Sequence, residues 1–406
     1  MTATGGTATT ARSGLSQLRD TPSGALHGLK AVLTEQQRFW RRTLSLPRVL
    51  ELAYKTRVGT TPADVVLSKG THRLLRYRRQ TPAVHPVPVL FCYALINRAY
   101  ILDLQPDKSV VQRYLEQGFD VYLIDWGVPS DADHTLTLED YVCGFLKDAV
   151  AFISRQQRPR DGDQAPHLLG YCMGGTMATL FTALYPERVR TLTLLAAPID
   201  FGVRDSLLNL WADRMCFDVD AFIDTYGNCP AWFLQSCFLS MNPIQSFLGK
   251  NIAFYEQMDD PRSVSHYFAM ERWLNDNIPI AGETFREFVK ALYQGNALVR
   301  GELRLGAQRA DLGRITCPVL LLTAKNDNLV APRSTEGIRR HIGSQDVRSM
   351  SVDAGHVGLV VGNKAHAAFW PQATRWLADH SLVMTAPHVP AARTAVGMDL
   401  SLTGSE

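Results

Sequence analysis

No run of about 18 consecutive apolar residues occurs anywhere in the chain, which argues against a membrane-spanning helix. An excess of one charge is missing too. Lys and Arg number 42 against 39 Asp and Glu, a formal net charge of +3, too balanced for a dedicated nucleic-acid binder. The seven cysteines are odd in number, scattered, and contain no C-x-x-C pair, so neither a disulfide framework nor a zinc knuckle is expected. Reduced thiols in a cytoplasm fit that usage, and no metal is expected. Residues 1–14 lack the apolar run of a secretory signal. Neither G-x-G-x-x-G nor G-x-x-x-x-G-K-[ST] is present, so no phosphate loop or nucleotide cofactor is implied.

What is present suits a globular enzyme. With 406 residues, 46% hydrophobic and 20% charged, the chain has room for one enlarged α/β domain carrying an insertion. Residues 1–24 and 385–406 are small, polar and unpatterned, and read as disordered tails. Residues 25–85 form a basic segment. Between 37 and 80 it holds Arg38, Arg41, Arg42, Arg48, Lys55, Arg57, Lys69, Arg73, Arg76, Arg78 and Arg79, opposed locally only by Glu51 and Asp64. A solvated helical face followed by a basic strand explains this; a docking surface for a partner or for phosphates is the alternative.

From residue 86 short apolar runs alternate with helical patterns. Strands are predicted at 88–93, 119–125, 167–171, 191–197, 318–324 and 347–352, and helices at 139–154, 175–185 and 364–379. Apolar runs separated by helices describe a parallel sheet covered on both faces. The alternation stops over 201–306, where the pattern is helical. Of 37 aromatic residues 17 lie within 201–300, which suggests either the core of a helical subdomain or an apolar cap over a site. The expected division is therefore core over 86–200, cap over 201–306 and core again over 307–384.

The sharpest motif is Gly170-Tyr171-Cys172-Met173-Gly174-Gly175, directly after one predicted strand and before a helix. This is G-x-C-x-G, a nucleophile elbow with Cys in place of Ser. A tight strand-to-helix turn lifts one side chain above the sheet edge, and the flanking positions tolerate no bulk. Cys172 would sit at a helix N-terminus, which favours a thiolate and offers the Met173 amide as an oxyanion donor. The other six cysteines read as packing.

An elbow calls for an acid and then a histidine, each after a later strand. Asp327 follows the run at 318–324, and His356 follows that at 347–352, set in Gly355-His356-Val357-Gly358. Asp353 is the competing acid, and a helix cap is the structural alternative for Asp327. A second oxyanion donor is expected in the loop after the first core strand, at the Leu95 amide. These elements together define an α/β-hydrolase fold, with a mainly parallel central sheet and a helical cap insertion.

The same residues carry a resemblance. Residues 94–104 (ALINRAYILDL), 121–127 (VYLIDWG), 170–176 (GYCMGGT), 197–201 (APIDF), 270–276 (MERWLND) and 355–358 (GHVG) resemble the polyhydroxyalkanoate synthases, and the matching stretches span most of 60–380. The likeness is strongest to the short, partner-requiring class III catalytic subunit. Residue 173 is Met where Leu is common, and both tails exceed the usual class III length. The resemblance implies an acyltransferase that polymerises short-chain (R)-3-hydroxyacyl-CoA, such as 3-hydroxybutyryl-CoA, with release of CoA. It maps the family's catalytic Cys, Asp and His onto Cys172, Asp327 and His356. It also implies a homodimer, a second synthase subunit, a growing polyester chain and a granule surface in the cytoplasm, with the CoA thioester as substrate and no cofactor. A thioesterase or polyester depolymerase on the same fold is the alternative.

Overall fold

The computed structural model describes residues 22–80, 82–156, 165–241 and 249–381. The expected tail at 385–406 lies outside them, as does the tail at 1–24 except for its last three residues, which open helix α1 (Pro22–Lys55). There follow β1 (Ala63–Lys69), β2 (His72–Tyr77), β3 (Val89–Cys92), α2 (Val110–Glu116), β4 (Val121–Asp125), α3 (Lys147–Gln156), β5 (His167–Tyr171), α4 (Met173–Leu184) and β6 (Thr191–Leu195). The insertion contains α5 (Leu207–Trp211), α6 (Val219–Tyr226), α7 (Ala231–Met241), α8 (Lys250–Gln257), α9 (Pro261–Asn275) and α10 (Gly282–Glu287), which runs on as a π-helical turn over Phe288–Gln294. A hairpin of β7 (Arg304–Leu305) and β8 (Gln308–Arg309), then β9 (Val319–Ala324), β10 (Val347–Val352) and the helix Trp370–Asp379 complete the described chain.

Eight strands form one sheet in the order β1-β2-β4-β3-β5-β6-β9-β10. From β4 to β10 all pairs are parallel, whereas β2 runs antiparallel to both β1 and β4. Every residue of β3, β5, β6 and β9 is buried, because helices cover both faces of the centre. That burial is why these strands are almost uninterrupted runs of Leu, Val and other apolar residues. β10 is one edge, and three of its six residues, Arg348, Ser349 and Ser351, are exposed.

Two features depart from the sequence reading. The sheet starts before residue 86, since β1 and β2 join it through β4. Their basic residues are neutralised by acids distant in sequence: Arg73 pairs with Asp125, Arg76 and Arg79 with Asp120, and Lys69 with Asp148. The second is the β7–β8 hairpin, which straddles the expected cap boundary at 306. Gly306 turns the chain there with φ 54°, a conformation that suits two-residue hairpins.

The segment ahead of the sheet is fastened to the insertion. Val49 of α1 packs with Met258 and Val264 in a small satellite core, each such burial worth roughly 1.5–3 kcal/mol. Arg41 reaches Asp259, and the Arg42 guanidinium lies over the Tyr255 ring at 4.5 Å. Inside the insertion Phe217, Phe222, Phe233 and Phe285 pack ring against ring, with Phe222 and Phe233 centroids 4.6 Å apart. Among the described residues no helix is long and apolar enough to cross a membrane.

Candidate active site

β5 ends at Tyr171 and α4 starts at Met173, so a single residue turns strand into helix. That residue is Cys172, with φ 54° and ψ −128°. A side chain in this region costs about 1–3 kcal/mol, which the surrounding hydrogen bonds must offset. The Cys172 amide donates to the Leu195 carbonyl of β6 at 2.9 Å, and its own carbonyl accepts from Gly175 at 2.8 Å. The glycines permit close approach. A Cβ on Gly170 would lie 2.4 Å from the Gly175 Cα, and one on Gly174 would lie 2.2 Å from the Cys92 carbonyl oxygen. Gly174 thus lets the first turn of α4 rest against the end of β3, the strand that leads into Leu95.

Asp327 lies in the loop after β9 and is buried. Its Oδ1 accepts from the Leu329 and Val330 amides at 2.9 and 2.8 Å, and its Oδ2 accepts from His356 Nδ1 at 2.7 Å. Asp353, the competing acid, is exposed and turned away. It binds Lys364 at 2.7 Å and Asn326 at 2.8 Å, which hold its carboxyl below the usual range.

The second face of the imidazole meets Cys172. Burial alone would push His356 down, but a charged Cys172 and the Asp327 carboxylate, each also a hydrogen-bond partner, raise it to about 10. Tyr171 completes the support: its ring stacks on the imidazole at 5.1 Å, and its hydroxyl donates to the His356 carbonyl at 3.3 Å. The structure therefore brings Cys172, His356 and Asp327 into one line from residues 155 and 29 positions apart in sequence.

Met173 opens α4, and Leu95 is buried in the loop after β3. Trp126 pins that loop by donating from Nε1 to the Tyr93 carbonyl at 2.8 Å. Across the same loop, the cap contributes Trp273, whose Nε1 donates to the Arg98 carbonyl at 2.9 Å, and Asp276, which binds Arg98 and Tyr100. Sequence reasoning missed Tyr171 as a support for His356; its place inside the elbow is the signal that could have found it.

The remaining cysteines divide. Cys92 and Cys229 are buried, and burial pushes Cys317 up to about 12, consistent with inert packing. Cys216 is exposed, so the packing reading fails there. Two other buried histidines, expected to be structural or surface residues, make their hydrogen bonds within the core. His167 bridges Thr191 and Ser381, and His366 binds the Val360 carbonyl. Among the described residues no cluster of three or more His, Cys, Asp or Glu side chains is arranged to hold a metal ion.

This strand order with an elbow after β5, an acid after β9 and a histidine after β10 defines a protein of the α/β-hydrolase class. Residues 87–362 match the family described as alpha/beta hydrolase fold, and residues 29–115 match that described as the Poly-beta-hydroxybutyrate polymerase N-terminus. The poly(3-hydroxyalkanoate) polymerase subunit of Haloferax mediterranei is 41% identical over 84% of this chain and 68% of its own length. That of Allochromatium vinosum is 39% identical over 79% of this chain and 89% of its own, and that of Synechocystis is 37% identical over 79% and 85%. Among solved structures, a monoacylglycerol lipase of Paleococcus ferrophilus matches 76% of this chain and 99% of its own, with TM-score 0.48 and 16% identity. The chain belongs to the poly(3-hydroxyalkanoate) polymerase family and is an acyltransferase.

Proposed function

We propose that this acyltransferase converts short-chain (R)-3-hydroxyacyl-CoA, such as 3-hydroxybutyryl-CoA, into a polyester, releasing CoA through a thioester on Cys172. The alignment of Cys172, His356 and Asp327 on the elbow carries the proposal. His356 takes the proton of Cys172, leaving the sulfur as the attacking thiolate. Cys172 attacks the thioester carbonyl, a new S–C bond forms, the bond to the CoA sulfur breaks, and His356 delivers its proton to that sulfur. The Met173 and Leu95 amides hold the transient oxyanion.

The acyl-enzyme changes the histidine. Acylation removes the charge on Cys172, leaving burial to oppose Asp327, so the His356 pKa falls and the neutral imidazole becomes a base. It takes the proton of a 3-hydroxyl group, whose oxygen attacks the acyl carbonyl. An ester forms, the S–C bond breaks, and His356 returns its proton to the Cys172 sulfur. A cysteine suits both steps: exchange between thioesters is close to thermoneutral, and the acyl group stays activated toward a hydroxyl. An imidazole NMR titration of the resting protein should show His356 changing near pH 10, and the Cys172→Ala variant should titrate lower. A midpoint unaffected by that substitution would remove the pairing.

Water competes with the hydroxyl for the acyl-enzyme, and the aromatic cap is the means of excluding it. Truncating Phe217 or Phe233 to Ala should raise the ratio of free hydroxyacid to polymer, measured by chromatography of the products. An unchanged ratio in both variants would deny the cap this role. The reading extends to a cytoplasmic, granule-associated homodimer served by a second synthase subunit, supported by the resemblance to class III subunits. A polymerisation assay of the purified protein, with and without a candidate partner subunit, tests it by reading CoA release and product together. Polyester supports the proposal, and soluble acid alone favours a thioesterase.

A further inference from the structure

The loop that leaves β3 is fastened to the core at its two ends and not between them. At its start Trp126 pins the Tyr93 carbonyl, and a Cβ on Gly174 would lie 2.5 Å from that carbonyl oxygen, so the loop departs against the turn that carries Cys172. At its far end the buried Asp103 accepts from the Thr61 amide at 2.9 Å and from the Thr61 and Ser109 hydroxyls at 2.6 Å each. Among the described residues no backbone hydrogen bond is made by residues 94–97, although Ala94, Leu95 and Asn97 are buried. Asn97 adopts φ 60°, a left-handed conformation that Asn tolerates better than most side chains, and its Oδ1 is buried without a partner. Buried polar groups left unpaired are rare and call for a reason. For the Leu95 amide that reason is an oxyanion to be held.

The cap supplies the missing hold. From the end of α9, Trp273 Nε1 donates to the Arg98 carbonyl at 2.9 Å. Asp276 accepts from Arg98 Nε at 3.2 Å with one oxygen and from the Tyr100 hydroxyl at 3.0 Å with the other. The helix behind these groups is itself fixed: Arg272 donates to the Thr56 carbonyl at 3.1 Å, just past α1, and Glu271 binds Lys250 of α8 at 2.7 Å. Arg98 and Asp276 keep about a third of their side-chain surface in solvent, so their ion pair alone contributes little. The hold comes from three contacts converging on Arg98 and Tyr100, directly after the residues that have no backbone partner.

We infer that Asp276 is a positioning residue for acylation. With Trp273 it fixes Arg98 and Tyr100, and through them it aims the Leu95 amide at the oxyanion that forms when Cys172 attacks the thioester. The inference rests on the cysteine mechanism proposed above and gives the cap a second role, setting a donor that belongs to the core. Such a donor is sensitive to its support, because a displacement of about 1 Å costs on the order of a hundredfold in rate.

The test compares two reactions of Cys172 that differ in their need for an oxyanion donor. Attack on a thioester passes through a tetrahedral oxyanion. Alkylation by iodoacetamide does not: the sulfur displaces iodide at a saturated carbon, the S–C bond forms as the C–I bond breaks, and the thiol proton passes to His356. The burst of CoA release from saturating 3-hydroxybutyryl-CoA should slow about tenfold to a hundredfold in Asp276→Ala, and about fivefold in Tyr100→Phe, which removes one hydrogen bond. Alkylation of Cys172, followed on its own peptide by mass spectrometry, should proceed as in the wild type. An unchanged burst in both variants would overturn the inference. Burst and alkylation slowed alike would overturn it too, since the contacts would then support the whole site and not the donor. If a thermal melt shows Asp276→Ala unfolded, Tyr100→Phe decides on the same two rates. Wild-type protein that released CoA with Cys172 fully alkylated would overturn the cysteine mechanism itself.

Discussion

Replacing Cys172 by Ala is expected to abolish CoA release, a loss on the order of 10⁴- to 10⁶-fold when a nucleophile is removed from a triad. The fold should survive, because Ala adopts the elbow conformation at no greater cost than Cys and adds no atom to the tight turn around Gly170 and Gly174. Cys172→Ser should retain little activity, although it is nearly isosteric. A serine hydroxyl is far less acidic than a thiol, so His356 deprotonates it less readily, and the resulting oxoester is a poorer acyl donor to a hydroxyl. Stopped-flow detection of free CoA thiol, with a thermal melt as the control for folding, measures both. Near-normal turnover in Cys172→Ala would place the nucleophile elsewhere.

Asp327→Asn should cost roughly 10⁴-fold, the effect of forcing the wrong imidazole tautomer in a triad. The geometry dictates the outcome. The Leu329 and Val330 amides both donate to Oδ1, so the asparagine must present its carbonyl oxygen to them and its NH₂ group to His356 Nδ1. Nδ1 then accepts, the proton moves to Nε2, and the face toward Cys172 can no longer take a proton. Asp353→Asn should leave the rate unchanged, because that carboxylate binds Lys364 and Asn326 in solvent. Comparing kcat for CoA release in the two variants decides between the acids; equal losses, or a loss in Asp353→Asn alone, would reverse the assignment.

Much of this arrangement is legible in the sequence, and the reason is burial. Strands such as β6 and β9 are enclosed on both faces, so their apolar runs mark them to within two residues. The elbow is legible because its glycines answer a steric demand that no other residue meets. Asp327 and His356 are legible because each follows such a strand. What cannot be read is convergence between distant segments. β1 and β2 look like a basic surface until Asp120 and Asp125 are placed beside them. Residues 201–300 hold 17 aromatics, and no periodicity distinguishes the rings that pack on one another, such as Phe217, Phe222 and Phe233, from the rest. The choice between Asp327 and Asp353 likewise depends on loop geometry: both follow strands, yet only Asp327 turns inward to two amides and an imidazole.

The π-helical turn at the end of the cap fastens the cap to the core. Gln294 in it donates to the Ala212 and Phe217 carbonyls, joining the turn to the aromatic cluster. Asn296 anchors the same turn to the residues after β6. Loosening of the outer cap to admit substrate would therefore leave this inner edge in place.

The most direct test of the central claim is peptide mass spectrometry of the protein quenched in acid within the first turnovers on 3-hydroxybutyryl-CoA. A hydroxyacyl increment on the peptide containing Cys172, labile to hydroxylamine as a thioester and absent from Cys172→Ala, is the predicted result. CoA release with an unmodified Cys172, or an increment on another residue, would contradict it.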